Sequence, residues 1–103
     1  MLSKDQALQL VSERLSKMSP ADDVFVVKEE STIEKPFGWV FFYNSKTFFE
    51  TGAPRYALAG NGPIIVNKFE KTVDFFGTNK STAQIVEDYE RAWSQNSDGR
   101  LDH

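Results

Sequence analysis

The fold is decided by three blocks of sequence: WVFFYNSK at residues 39–46, ETG at 50–52 and GNGPIIV at 60–66. In an extended chain successive side chains point to opposite faces, so Trp39, Phe41 and Tyr43 share one face while Val40 and Phe42 share the other. Because both faces are apolar, this segment is predicted to be a central strand, covered on at least one side by a helix.

Three further strands and two helices are predicted around the central strand. Residues rich in β-branched and aromatic side chains indicate strands at 24–33, 64–66 and 72–76. Turn residues at 35–38 join the first of these to the central strand as an antiparallel hairpin. The order predicts an α+β fold with an N-terminal helix, a four-stranded, mainly antiparallel sheet and a C-terminal helix. The expected boundaries are a single domain at 3–94 and a polar, disordered tail at 95–103.

Capping signals and apolar spacing predict both helices. Ser3 and Gln6 have capping-box spacing at the start of the first helix, residues 3–18, and the second helix begins at Ser81 with the same spacing. The apolar stripe of the first helix is Leu8, Val11, Leu15 and Met18. The inner face of the second is Ile85, Val86, Tyr89 and Trp93. Trp93 either covers the sheet edge or anchors a contact with a partner.

The segment between the central strand and residue 64 is predicted to be largely irregular. Residues 44–46 have the composition of a turn or bulge, and a helical turn is possible at 56–58. Asn61 and Gly62 tolerate positive φ, and Pro63 sets the entry into the next strand. The loop at 60–63 is therefore either a tight turn or a loop whose exposed amides contact a partner.

Composition limits the classes of function. The chain has 103 residues, room for one domain, with a net charge of −3 and a pI near 5.1. This charge balance is unfavourable for binding a phosphate backbone, so no nucleic-acid partner is expected. Cysteine is absent, which excludes disulfides and thiolate chemistry. Neither a membrane span nor a secretory signal is apparent, so we expect a cytoplasmic protein with no membrane partner.

No constellation of catalytic residues is apparent, and the chain is not predicted to be an enzyme. The only histidine is the last residue, His103, in the polar tail. Acidic pairs such as Asp22-Asp23 are adjacent in sequence rather than placed to face each other across a substrate groove. No metal site and no cofactor are therefore expected.

Six carboxylates lie in the first half of the chain, with few cations between them: Asp22, Asp23, Glu29, Glu30, Glu34 and Glu50. Alternation along strands prevents all six from facing the same way. They are either scattered surface charge or, in part, an acidic rim suited to a basic partner.

The three blocks resemble the core signature of the YrhB-like family, also called the immunity protein 35 family, and the resemblance extends over residues 3–93. The chain departs from the family pattern after Val66. Members often continue with Asp-Lys and a turn that contains Gly, whereas this chain has NKFEK at 67–71. The departure concerns the geometry of the last hairpin.

The resemblance implies a bacterial immunity protein that binds the toxin domain of a polymorphic toxin system and blocks it sterically, without catalysis. The motif residues would form the scaffold: Trp39, Phe41, Tyr43, Gly60, Gly62 and Pro63. The candidate contacts with the toxin are the carboxylates and the 50–63 loop: Asp22, Asp23, Glu29, Glu30, Glu34, Glu50, Arg55 and Asn61. The alternative is a small chaperone or general interaction module that binds exposed apolar segments. A monomer and a homodimer paired through an edge strand both remain open.

Overall fold

A four-stranded antiparallel sheet forms the centre of the molecule, with helices on both of its faces. The computed structural model describes the backbone of residues 1–101 and the side chains of residues 1–95. The helices are α1 (Lys4–Met18), α2 (Lys46–Thr51) and α3 (Thr82–Leu101). The strands are β1 (Phe25–Val27), β2 (Ile33–Lys35), β3 (Gly38–Phe41), β4 (Tyr43–Ser45), β5 (Ile64–Asn67) and β6 (Thr72–Phe75). Two 3-10 turns lie at Glu29–Ser31 and Pro54–Tyr56.

The strand predicted to be central is central. The sheet order is β2-β3-β5-β6, and each neighbouring pair is antiparallel. Trp39 of β3 lies opposite Val66 of β5, and Val40 lies opposite Ile65. The α+β fold, with its N-terminal helix, antiparallel sheet and C-terminal helix, is therefore confirmed.

Two separate cores lie on the two faces of this sheet. On one face Trp39 and Phe41 pack with a row of α1 residues, namely Ala7, Val11 and Leu15. On the other face Val40 and Ile65 pack with Phe37 and with Ile85 and Val86 of α3. The alternation of side chains predicted for residues 39–43 is thus confirmed, since Tyr43 joins the first core and Phe42 the second.

The predicted strand at 24–33 is wrong in its length, because two strands occupy it and they belong to different sheets. The 3-10 turn at Glu29–Ser31 separates them. β2 pairs with β3, whereas β1 pairs with β4 in a two-stranded sheet, with Phe25 opposite Ser45. The predicted strand at 39–43 likewise divides at Phe42, whose carbonyl accepts a hydrogen bond of 2.8 Å from the Lys28 N–H. The division lets one stretch of chain pair with both β1 and β2.

The N-terminal helix begins as predicted, but its buried row differs. Ser3 and Gln6 form both hydrogen bonds of the capping box. The fully buried positions follow a spacing of four and are Ala7, Val11 and Leu15. Leu8 is half-buried at the edge of this row, and Met18 is 48% exposed. Because residues four apart lie on one face of a helix, the buried row of Ala7, Val11 and Leu15 faces the sheet, and Met18 at the end of the helix lies beyond it.

The β5–β6 turn, at residues 67–71, is held by a buried asparagine and contains a lysine with positive φ. The Asn67 side chain is fully buried, and its Oδ1 accepts hydrogen bonds from the N–H groups of Phe69 and Glu70 at 3.0 and 2.9 Å. Lys71 has φ of +59°, the one positive value at a non-glycine residue in the described chain. The turn therefore needs a left-handed residue, and a lysine takes that position.

The Trp93 side chain is partly buried and packs against the core on the α3 face of the sheet. Its ring stacks on Phe69 at 6.0 Å and meets Phe37 edge-on at 6.2 Å. The predicted tail begins close to this point. The backbone of α3 continues to Leu101, while Asp102 and His103 lie outside the described residues, and the 3–94 and 95–103 boundaries stay predictions.

Candidate partner-binding surface

A short helix occupies the place where a turn or bulge was predicted. Residues 44–46 contain the end of β4 and the start of α2, so that prediction is wrong. Ser45 is the N-cap, and its Oγ accepts a hydrogen bond of 3.2 Å from the Phe48 N–H. The helix ends at Gly52, whose φ of +70° is typical of a left-handed cap.

Asp23 fastens this helix to the start of β1. Its carboxylate accepts hydrogen bonds from the Ser45 hydroxyl, from the Thr47 hydroxyl at 3.1 Å and from the Val24 N–H at 2.7 Å. The bond from Ser45, more than any other interaction, holds the pKa of Asp23 below its ordinary value. The geometry gives Asp23 a structural role, because its acceptor oxygens are already used within the chain.

Two asparagines hold the loop after α2 against β4. The Oδ1 of Asn44 accepts a hydrogen bond of 2.9 Å from the Leu58 N–H. The Nδ2 of Asn61 donates one of 2.7 Å to the Tyr43 carbonyl. Asn61, predicted to contact a partner, therefore has its side-chain amide engaged with the scaffold.

The end of the loop is fixed by close backbone approach. A Cβ on Gly62 would lie 2.1 Å from the Gly77 carbonyl oxygen, so this position excludes any side chain. Pro63 is buried, and its carbonyl accepts a hydrogen bond of 3.0 Å from the Phe76 N–H. The residue with positive φ is Gly60, at +77°, rather than Asn61 or Gly62. The helical turn predicted at 56–58 lies two residues earlier, at Pro54–Tyr56.

These restraints present a small surface that combines aromatic and charged side chains. We call it the α2 surface and define it as Phe49, Glu50, Arg55 and Tyr56. Phe49 and Tyr56 are 39% and 37% exposed, and α2 contacts the 3-10 turn that carries Tyr56. The Arg55 guanidinium lies 4.9 Å from the centre of the Tyr56 ring, and its Nη2 donates a hydrogen bond of 3.2 Å to the Tyr56 hydroxyl.

The structure places the remaining predicted contacts on other elements. Asp22 is exposed between α1 and β1, Glu29 and Glu30 are exposed on the first 3-10 turn, and Glu34 is exposed on β2. None of these four forms an ion pair with the side chains that the structure describes. Of the predicted contacts, Glu50 and Arg55 lie on the two elements of the α2 surface, α2 and the adjacent 3-10 turn. The sequence reasoning missed Phe49 and Tyr56, whose signal is an aromatic residue in a segment without apolar periodicity.

The described residues form no arrangement that would bind a metal. Among the side chains of residues 1–95, no group of three or more Asp or Glu is placed to hold an ion. Within the same part of the chain no helix combines the length and apolar character needed to cross a membrane.

Comparison with known proteins identifies the family. The family model described as Immunity protein 35 matches residues 5–92. The chain belongs to the immunity protein 35 family. It is also 38% identical over 53 residues to a protein of Escherichia coli (strain K12) described as "Uncharacterized protein YrhB". That alignment covers 52% of this chain and 56% of the relative, so the chain matches little more than half of the relative's length. No solved structure matches the chain.

Membership of the immunity protein 35 family confirms the resemblance drawn from the three blocks and assigns an immunity role in general terms. The geometry shows what the blocks do in this member. Trp39 and Phe41 fill a core, while Tyr43 contacts the rings of Phe25 and Phe75. Asn44 and Ser45 anchor the loop and the short helix.

Proposed function

We propose that the chain binds the toxin domain of its cognate polymorphic toxin and inhibits it by covering its surface, without catalysis. The observation that carries this proposal is the match to the immunity protein 35 family over residues 5–92. A small protein that acts by steric block requires affinity and a rigid contact surface rather than reactive groups.

The α2 surface is proposed as the main contact. Tyrosine and arginine are enriched among the residues that dominate binding energy at protein interfaces, and a large aromatic side chain supplies much area on burial. Phe49 and Tyr56 are exposed although they lie on backbone that Asp23, Asn44 and Asn61 hold in place. Since the backbone is already ordered, binding there would cost little conformational entropy.

The exposed carboxylates are proposed to speed encounter with a basic toxin. Four of these carboxylates have no ion pair with the described side chains, namely Asp22, Glu29, Glu30 and Glu34. Their negative electrostatic field therefore extends into the solvent, where an approaching partner meets it. Charges of this kind change the association rate and its salt dependence more than the final affinity. Asp23 and Asn61 are given no contact role, because their side chains are bonded to the scaffold.

Calorimetric titration against the toxin domain encoded beside this chain tests the proposal. Saturable one-to-one binding in the nanomolar range is expected for the wild type. Truncation of a hot-spot residue costs about 2 kcal/mol or more, so Tyr56→Ala should weaken binding by roughly 30-fold. Phe69→Ala is the matched control, because Phe69 is 50% exposed and lies in the β5–β6 turn.

Two outcomes would contradict different parts of the proposal, one the toxin partner and the other the α2 surface. No binding to a folded toxin domain at tens of micromolar rejects the toxin partner itself. Tight binding that Phe69→Ala weakens as much as Tyr56→Ala rejects the α2 surface and leaves the partner in place. Weak binding to many unfolded chains would instead favour the chaperone alternative.

A further inference from the structure

A groove runs along the molecule between the edge strand β2 and the helix α3. Its volume is about 780 Å³, and its lining includes Ile33, Ala83 and Val86. Ile33 is 38% exposed although Val40, directly opposite on β3, is fully buried. One flank of this sheet face is therefore apolar and uncovered.

The groove follows from the width of the sheet. Neighbouring strands lie about 4.8 Å apart, so the outer strands of four are separated by about 14 Å. A helix with its side chains is about 10 Å across. α3 packs on Val40 of β3 and Ile65 of β5, near the middle of the sheet, and leaves β2 at the margin.

The charges on the rim of the groove are balanced. Lys35 on β2 pairs with Glu90 on α3 at 3.4 Å, and Arg91 pairs with Glu87 at 2.8 Å. Two cations and two anions therefore border an apolar floor. A strongly basic or acidic partner would meet as many like charges as opposite ones here.

We propose that this groove is a self-association surface, in which a second copy of the chain places its α3 against the groove about a two-fold axis. In a two-fold contact each surface patch meets its own copy, so a patch with both signs of charge is complementary to itself. The ion pairs of one copy can lie beside those of the other with opposite charges adjacent, and the exposed side chains of Ile33 and Ala83 in both copies are removed from water. The inference is independent of the proposed toxin contact, which lies on α2 and the second 3-10 turn.

The contact is made by helix and groove side chains rather than by a continuous sheet. β2 has three residues and is followed by Pro36, which cannot donate a backbone hydrogen bond. Short strands that end in charged residues and proline resist edge-to-edge pairing. Association through the groove thus replaces strand pairing as the route to a homodimer.

Sedimentation equilibrium of the full chain between 1 and 200 µM, a range of about two decades around ordinary transient affinities, tests the proposal. The expected mass at high concentration is twice the 11.7 kDa of one chain. Ala83→Glu places a carboxylate on the groove wall and should raise the dissociation constant at least about 100-fold, because a buried charge without a partner is costly. Ala83 is exposed in the first turn of α3, where an acidic residue favours the helix, so the monomer should fold.

Ala92→Glu is the matched control, since Ala92 is also exposed on α3 but does not line the groove. A dimer lost with Ala83→Glu and kept with Ala92→Glu supports the proposal, provided that both variants have the wild-type circular dichroism spectrum. A wild type that stays monomeric throughout overturns it, as does a dimer affected equally by both substitutions. If the wild type is monomeric and Ala83→Glu abolishes toxin binding, the groove is a toxin contact rather than a self-association surface.

Discussion

Replacement of Gly38 by alanine should destabilise the fold more than replacement of Gly52, Gly60 or Gly77. Gly38 opens β3 at a φ of +150° and lies opposite Lys35 on one side and Asn67 on the other. A Cβ at this position would lie 2.0 Å from the Val66 carbonyl oxygen and 3.1 Å from the Lys68 nitrogen. Both are backbone atoms, one in the neighbouring strand β5 and one in the residue that follows it, so no side chain can rotate to make room.

Two contributions determine the expected loss in the free energy of unfolding for Gly38→Ala. A backbone conformation that is essentially restricted to glycine costs about 1–3 kcal/mol for another residue. Overpacking that displaces neighbouring backbone costs about a further 1–3 kcal/mol. The sum, about 2–6 kcal/mol, is a large part of the 5–15 kcal/mol by which domains are ordinarily stable.

Urea unfolding followed by tryptophan fluorescence is a suitable assay, because Trp39 is buried directly beside Gly38. Gly52→Ala is the matched control, since Gly52 has a φ of +70° but no atom within 4 Å of its added Cβ. Gly52→Ala should lower the free energy of unfolding only by the conformational penalty, about 1–2 kcal/mol. If the two variants lose the same free energy of unfolding within about 0.5 kcal/mol, the reasoning from backbone contact is refuted.

Three other substitutions test particular parts of the fold. The lowered pKa of Asp23 means that its stabilising bonds are present above pH 3.8, the ordinary value, and are lost as pH falls through the lower folded value. The midpoint of urea unfolding should therefore fall less between pH 5 and pH 3 for Asp23→Asn than for the wild type. An equal fall in the two proteins would contradict this role. Asn67→Ala should cost about 2 kcal/mol in urea unfolding, since it leaves the turn N–H groups without their buried acceptor, and an unchanged free energy of unfolding would contradict this role. Lys71→Gly should raise the free energy of unfolding by about 0.5–1 kcal/mol because it relieves the positive φ, and a loss of stability would show that the lysine side chain matters more.

The candidate contact surface was harder to predict than the fold. Asp23 was expected to meet a partner as one of the carboxylates and Asn61 as part of the 50–63 loop, but hydrogen bonds with Ser45 and Tyr43 engage them. Phe49 and Tyr56 were not among the predicted contacts, and the structure exposes them. A side chain's type does not reveal whether the backbone turns it toward solvent, and here that depends on the bonds that hold the loop.

Local chemistry was enough to determine several elements. The capping box at Ser3 and Gln6, the apolar alternation of residues 39–43 and the central place of that strand could be read from the sequence, because each depends on neighbours within a few residues. The family could also be recognised from the three blocks, since their residue types and order are properties of the chain itself.

Only the tertiary structure decided how the strands are shared between sheets. Residues 24–33 read as one strand, but the chain turns at Glu29–Ser31, so that β1 pairs with β4 and β2 with β3. That choice depends on hydrogen bonds between residues far apart in sequence, which no local pattern encodes. The same is true of the groove beside β2, which exists because one helix is narrower than the sheet it covers.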